Sequence, residues 1–319
     1  MNTLARELSK FSELSVLLIP INSGPKDLID PNCQVVEINR SWRGSLSNTI
    51  KSLFRFQRVI REYSPDVVVL NCDLPEFFYS ITPSSAKVVI VDHNTKSWKT
   101  RPFLGKIVWL SLCFRTYAVV RVSERIKVKV PNPKNNLVIY NPIPNEIYQT
   151  PSEVMLDQKV RLAFVGRLSQ QKDPEFFCEI ATNSGLPSII IGDGLLASPL
   201  MMKYPELGWV GQSSNPWKLL NRRDLFILTS LYEGDGLVLV EALLNRVPVL
   251  VRDTEDSRAF NLPEQNYFQG SSDAGRKIQD YVDGKIDLTM PEDFLNTLLQ
   301  ERSAESIARE WVSLLLTAN

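Results

Sequence analysis

Histidine is nearly absent from this chain. A single one, His93, stands among 319 residues, which excludes a metal centre built from several imidazoles. Cysteine is scarce as well. Cys33, Cys72, Cys113 and Cys178 lie far apart, with no metal-ligand or redox spacing, so reduced and mostly buried thiols are expected, as suits a cytoplasmic setting. No stretch approaches 18 uncharged apolar residues and no signal peptide opens the chain, so neither a spanning helix nor export is expected. Net charge is missing too, with 36 basic against 36 acidic residues. That balance hides an asymmetry. Up to residue 150 the chain has 20 Lys and Arg against 12 Asp and Glu, and the remainder has 16 against 24. No nucleic-acid reader motif accompanies the basic half, so nucleic acid is not an expected partner.

What is present is ordinary globular material, 44% hydrophobic and 23% charged, in a length that suits two domains. Short apolar strands alternate with amphipathic helices, which predicts an α/β fold with parallel sheets and crossover helices. The densest information lies in residues 221–253, NRRDLFILTSLYEGDGLVLVEALLNRVPVLVRD. Asp224 to Ser230 reads as a strand, Glu233-Gly234-Asp235-Gly236 as a turn, Leu237 to Asn245 as a helix and Val247 to Val251 as a second strand. Such a turn leaves the first amides of the helix aimed outward, where the helix dipole favours an anion such as a diphosphate. Glycine lets the backbone approach a ligand closely. Glu233 and Glu241 lie about two turns apart, so both carboxylates can face one ligand about 10 Å long. By themselves these residues are equally consistent with a plain glycine turn bordered by surface glutamates.

The frame LTSLYEGDGLVLVEALLNRVPVL, with Glu, seven residues and Glu, resembles the donor-binding signature of retaining GT-B glycosyltransferases of family 4. The resemblance implies that Glu233 contacts the transferred sugar, Glu241 the nucleotide ribose, and the amides of Gly236, Leu237 and Val238 the diphosphate. It extends to GRLSQQK, whose Arg167 and Lys172 match the family's phosphate-binding pair, Arg by a forked pair of hydrogen bonds and Lys as a point charge. The IGDG turn at Gly192-Asp193-Gly194 and the GWVG segment at Gly208 to Gly211 are similar to segments that pack on the donor and contact its base. A lone histidine after a strand is more often structural. His93 nevertheless matches the position at which the family places a histidine beside the transferred sugar, which implies a positioning or polarising role.

The fold implied is GT-B, two Rossmann-like domains facing a central cleft: residues 1–150 on the acceptor side, 151–302 binding the nucleotide sugar, and a terminal helix, 303–319, crossing back with Trp311 as anchor. The family's first strand and Gly-rich loop do not precede the opening MNTLARELSKF. A first domain incomplete at its N-terminus is expected, either truncated, the favoured reading, or built without its usual central strand. Strands are also expected at Leu14 to Pro20, Cys33 to Asn39, Val67 to Leu70, Ala86 to Asp92 and Leu137 to Tyr140, and Ser123 as a helix N-cap.

The resemblance implies a metal-independent transferase with no cofactor beyond its donor, a nucleotide-diphosphate sugar. No Asp-x-Asp pair occurs in a suitable loop, while Arg167, Lys172 and a helix N-terminus supply positive charge. The acceptor implied is lipid-linked or glycan, in lipopolysaccharide O-antigen or capsule synthesis at the cytoplasmic membrane face. Residues 96–129 mix Lys96, Lys99, Arg101, Lys106 and Arg115 with Trp98, Phe103, Trp109, Phe114 and Tyr117. That mixture suits either a peripheral lipid contact or a helix with its aromatics packed inward and a solvated basic rim. A nucleotide-sugar epimerase and a non-catalytic sugar-binding protein are the competing functions.

Overall fold

The structure is a computed structural model that describes residues 2–21, 34–38, 46–93, 102–126, 135–147 and 159–318. The chain divides into two units, Met1–Pro142 with Glu301–Asn319, and Ile143–Gln300. The division falls at Pro142, upstream of the polar 150–158 stretch, because Ile143 is already buried in the core of the second unit. Residues 150–158 themselves lie outside the described residues.

The first unit opens with α1 (Asn2–Leu8), then β1 (Leu17–Leu18), which pairs in parallel with β2 (Gln34–Val35) and is extended by a bridge between Ile21 and Ile38. Next come α2 (Leu46–Tyr63), β3 (Val67–Asn71), α3 (Asp73–Ser80), β4 (Lys87–Asp92), α4 (Pro102–Leu112), β5 (Thr116–Arg121) and β6 (Asn135–Val138). Strands β3-β4-β5-β6 form a parallel sheet in that order. Alternate residues of β4 and β5 point to opposite faces. Val89, Val91, Ala118 and Val120 pack with Leu4 and Leu8 of α1 and with Ile307, Trp311 and Leu314 of α11 (Ala304–Ala318), whereas Val88, Ile90 and Val119 pack with α2, α3 and α4. The result is three layers. Trp311 is buried in this core.

The second unit contains β7 (Leu162–Val165), α5 (Pro174–Ser184), β8 (Ser188–Ile191), α6 (Ala197–Lys203), β9 (Trp209–Gly211), β10 (Leu225–Leu228), α7 (Leu237–Leu244), β11 (Val249–Arg252), α8 (Glu255–Arg258), β12 (Tyr267–Phe268), α9 (Ser271–Val282) and all but the last two residues of α10 (Glu292–Arg302). Its parallel sheet runs β12-β11-β10-β7-β8-β9. The segments LAFV, SIII, LFIL and VLVR are nearly unbroken apolar runs because both faces of the sheet are covered. One face packs on α7 and Trp217, the other on α5 and α9. Counted from β7, the order is the doubly wound one, with its switch point between β7 and β10.

Two expectations need correction, and one helix had not been expected. Ser123 does not start a helix among the described residues: Val122 to Ile126 are turns and bends, and the Ser123 hydroxyl accepts from the amide of Arg125 at 3.4 Å. Cys72 is exposed and Cys113 only half-buried, so Cys178 alone of the described cysteines is a buried thiol, held up at about 12 by burial. Cys33 lies outside the described residues. Cys72 is exposed because it makes the sharp exit from β3, at φ 99°. Finally, α3 was not anticipated, since its eight residues include a proline and only a short apolar stripe.

Candidate active site

The switch point of the second sheet sets two loops side by side. One follows β7 and carries Gly166, Arg167 and Lys172; the other follows β10 and carries Glu233 to Gly236. In open parallel sheets ligands bind beyond the carboxyl ends of strands where the order reverses. The two loops are stitched together. Leu231 donates its amide to the carbonyl of Gln171 at 2.9 Å, and the Gln171 side chain donates to the carbonyl of Tyr232 at 3.1 Å. The Thr229 hydroxyl lies 2.9 and 3.0 Å from the carbonyls of Lys172 and Asp173.

This stitching places Lys172 Nζ 2.7 Å from Oε1 of Glu233, with side chains 18% and 8% exposed. Asp173, the next residue, is held at φ 47°, a left-handed conformation costly for a residue with a Cβ. Its carboxylate accepts from Arg252 at 2.7 Å, and the Arg252 guanidinium stacks 4.8 Å from the ring of Phe176. Lys172 is thereby aimed from a rigid base. On the opposite side, the backbone N–H of Glu233 donates to Asp256 Oδ2 at 2.9 Å. Asp256 sits in α8, whose start is fixed by a reciprocal cap between Thr254 and Ser257.

The turn then reaches Gly236, at φ 64° and ψ 33°, immediately before α7. A Cβ at Gly236 would lie 2.7 Å from Cζ of Phe260, so conformation and space both select glycine. No side chain caps α7, and the Gly236 carbonyl accepts from Leu239 and Val240. The amides of Leu237 and Val238 therefore have no acceptor within the helix, the arrangement that suits an anion.

Glu241 projects from the second turn of α7. The indole N–H of the buried Trp217 donates to its Oε2 at 3.0 Å. Burial holds the Glu241 carboxyl above the usual carboxylate range, against the opposing pull of the Trp217 hydrogen bond and the Lys172 charge. Glu233 and Glu241 thus both feel Lys172.

A cleft of about 440 Å³ opens at the ends of β7 and β8, and Lys172, Glu233 and Glu241 are not among the residues that line it. Gly166, Arg167, the Gly192-Asp193-Gly194 turn, Gln212, Ser213 and Pro216 line it. Gly192 comes so close to Gly166 that the two turns touch backbone to backbone. Arg167 is exposed in the cleft wall, whereas Lys172, Glu233 and Glu241 form the adjoining cluster. The dipeptide Pro216-Trp217 joins the two, one residue lining the cleft and the next bonding Glu241.

Seven of the eight residues singled out from sequence, namely Arg167, Lys172, Glu233, Gly236, Leu237, Val238 and Glu241, fall in the second unit around this switch point. His93 belongs to the first unit, half-buried directly after β4, at the carboxyl end of that unit's own sheet. Sequence reasoning missed Trp217, Asp256, Asp173 and Arg252. NPWK and TEDSR carry no periodicity that would mark them.

Trp217 yields a prediction. Replacing it by phenylalanine removes the donor that lowers the Glu241 carboxyl and leaves burial unopposed on that side, so its pKa rises further. Protonation of Glu241 then sets in at higher pH. NMR titration of the Glu241 carboxyl should show its midpoint moved to higher pH in the variant. Superimposable pH profiles for the two proteins would mean that the indole does not govern Glu241.

Residues 150–271 match the family described as Glycosyl transferases group 1. An uncharacterized glycosyltransferase of Methanocaldococcus jannaschii is 27% identical over 68% of this chain and 63% of its own length. The UDP-Gal:alpha-D-GlcNAc-diphosphoundecaprenol alpha-1,3-galactosyltransferase of Escherichia coli is 25% identical over 89% of this chain and 82% of its own. The chain thus spans less than two thirds of the first relative and most of the second. A crystal structure of Anabaena HepE in complex with UDP and glucose is similar in fold, with a TM-score of 0.79 at 15% identity over 99% of this chain and 95% of that one. Residues 150–271 are accordingly a glycosyl transferases group 1 domain, set in a chain with the GT-B fold of the glycosyltransferases.

Proposed function

We propose that this protein is a retaining glycosyltransferase that moves a sugar from a nucleotide-diphosphate sugar to a lipid-linked or glycan acceptor without a metal ion. The Lys172–Glu233 pair beside the uncapped start of α7 is the observation that carries this reading. Arg167, Lys172 and the amides of Gly236, Leu237 and Val238 hold the diphosphate and take up the charge that develops as it departs. Glu233 orients the transferred sugar, Glu241 accepts from the ribose, and His93 positions or polarises the transferred sugar. The acceptor oxygen bonds to the anomeric carbon on the face from which the diphosphate leaves. The carbon–oxygen bond to phosphate breaks, and the hydroxyl proton passes to the departing phosphate oxygen. Configuration at that carbon is retained.

The lipid-linked acceptor is favoured by similarity to the Escherichia coli enzyme, whose name states a diphosphoundecaprenol acceptor. We read the reaction as a step of surface polysaccharide synthesis, O-antigen or capsule, carried out by a protein peripheral at the cytoplasmic membrane face. The test incubates the full chain with nucleotide-diphosphate sugars and a diphosphoprenol-linked N-acetylglucosamine, with and without EDTA, and reads the new linkage by NMR. Transfer with an unchanged anomeric configuration, insensitive to EDTA, is expected. An inverted linkage would overturn the stereochemistry, EDTA inhibition the metal independence, and conversion of the sugar nucleotide without acceptor would favour an epimerase. Binding of the nucleotide with no turnover would leave a sugar-binding protein.

A further inference from the structure

The first unit presents an apolar stripe that its own core does not use. Phe103, Ile107 and Leu110 on α4 and Phe114 just beyond its end are 76%, 52%, 67% and 95% exposed, while Gly105, Val108 and Leu112 of the same helix are buried. The spacing of four and three residues puts Phe103, Ile107 and Leu110 on one helical face, and Phe114 follows in the turn beyond the helix end. Trp109 does not belong to that face, because its indole N–H donates to the buried carboxylate of Glu76 at 3.2 Å. Nor does Tyr117, which lies on β5 and donates to the carbonyl of Thr317. The aromatics of the 96–129 segment are therefore divided, and the two phenylalanines at the ends of the stripe face outward. Its residues 96–101 and 127–129 lie outside the described residues.

The stripe continues sideways. The side chain of Ser111 donates to the carbonyl of Ser80, and that of Gln57 donates to the carbonyl of Ile81, which ties α4, α3 and α2 together. Ile81 and, on α2, Ile50 and Phe54 are exposed on these elements. Lys106 stands exposed between Phe103 and Leu110, and Lys51, Arg55 and Arg58 are exposed on α2. No acidic residue occurs from Pro102 to Thr116, and Glu62 is the sole one from Leu46 to Tyr63.

We propose that the outer face of α4, Phe103, Ile107, Leu110 and Phe114 with Lys106 among them, is a lipid-binding surface that enters the headgroup layer of an anionic membrane. Charge selects this occupant. A second copy meeting the same face would set Lys106, Lys51 and Arg55 against their own duplicates with no carboxylate between, whereas anionic headgroups neutralise them. Among the described residues no helix is long and apolar enough to cross a membrane, so the contact is a shallow one with the helix lying in the interface. The surface deepens the lipid-linked acceptor reading, since it would bring such an acceptor to the unit that carries His93, but its test needs no catalysis.

The full chain is sedimented with vesicles of phosphatidylglycerol and phosphatidylcholine, and with phosphatidylcholine alone, at low and high salt. Binding to the anionic vesicles is expected. The double variant Phe103→Ser, Phe114→Ser should bind at least about tenfold more weakly. Lys106→Glu should weaken binding at low salt and match the wild type at high salt, where charge is screened. Met202→Ser, which removes an exposed apolar side chain of the second unit, should bind as the wild type does. Absence of binding to the anionic vesicles, or undiminished binding by the double variant, would overturn the proposal. So would a wild-type dimer that the double variant dissolves while vesicles retain neither. Transfer to a water-soluble acceptor should be equal for wild type and double variant. Its absence in both would count against the transferase reading and leave the vesicle result standing.

Discussion

Replacing Lys172 by alanine is expected to lower turnover in sugar transfer by a few hundredfold and to destabilise the second unit by about 3 kcal/mol. The first effect follows from chemistry. In the proposed reaction a fixed cation beside the departing diphosphate stabilises charge that exists fully only in the transition state, and one well-placed donor of this kind contributes about 3–4 kcal/mol. The second follows from burial. Glu233 is 8% exposed, and its carboxylate lies 2.7 Å from the lysine ammonium. Removing the cation leaves a desolvated carboxylate, a change that costs about 3–5 kcal/mol in buried pairs and falls at the low end here because Lys172 retains some contact with water. Urea unfolding and steady-state kinetics measure the two effects separately. The double variant Lys172→Met, Glu233→Leu separates them further, since replacing both charges by apolar groups should restore most of the stability and none of the activity. Turnover within tenfold of wild type in Lys172→Ala would remove the lysine from the donor site.

Gly192→Ala should be the most damaging single substitution to stability in the second unit. A Cβ at this position would lie 1.8 Å from the carbonyl oxygen of Gly166 and 2.9 Å from its carbon. Both atoms are backbone, so no rotamer relieves the overlap. The ends of β7 and β8 would have to separate, against the hydrogen bond from the Gly166 amide to the Ile191 carbonyl at 3.0 Å. The φ of 154° adds strain for any residue with a side chain. A loss of about 4 kcal/mol is expected, read as a fall in Tm of roughly 10 °C for a unit of this size. Because Gly166 and Gly192 line the cleft, the proposed nucleotide binding should weaken with it. Gly275→Ala is the contrast. It lies within α9 with nothing inside 4 Å of the new Cβ and should stabilise by about 0.5–1 kcal/mol. Equal melting of Gly192→Ala and wild type would contradict the backbone crossing between the two turns.

The two substitutions mark the border between what was legible in the residues and what was not. Lys172 and Glu233 were each singled out because the resemblance rests on short local segments, GRLSQQK in one loop and a glutamate opening a glycine turn in another. Their direct contact was not, since 61 residues separate them. Trp217 gave no signal because its role is to meet Glu241 from a short turn, and neither periodicity nor spacing encodes that meeting. The basic aromatic segment showed a different limit. Composition admitted both an outward and an inward aromatic face. The fold divided the two, with Trp109 on Glu76 and Phe103 and Phe114 toward solvent.

By itself the sequence determined the alternation of buried strands and amphipathic helices, hence parallel α/β sheets, and the glycine turn that opens α7. These are properties of near neighbours, set by side-chain periodicity and by the few residues that tolerate positive φ. Tertiary structure alone decided which strand ends lie together. The doubly wound order puts β7 beside β10, and that adjacency brings a lysine and a glutamate from two loops, a second glutamate from α7 and a tryptophan from a short 3-10 turn into one cluster. Crossover connections fix strand order through packing of whole helices on a sheet, a cooperative effect that no short window of residues contains.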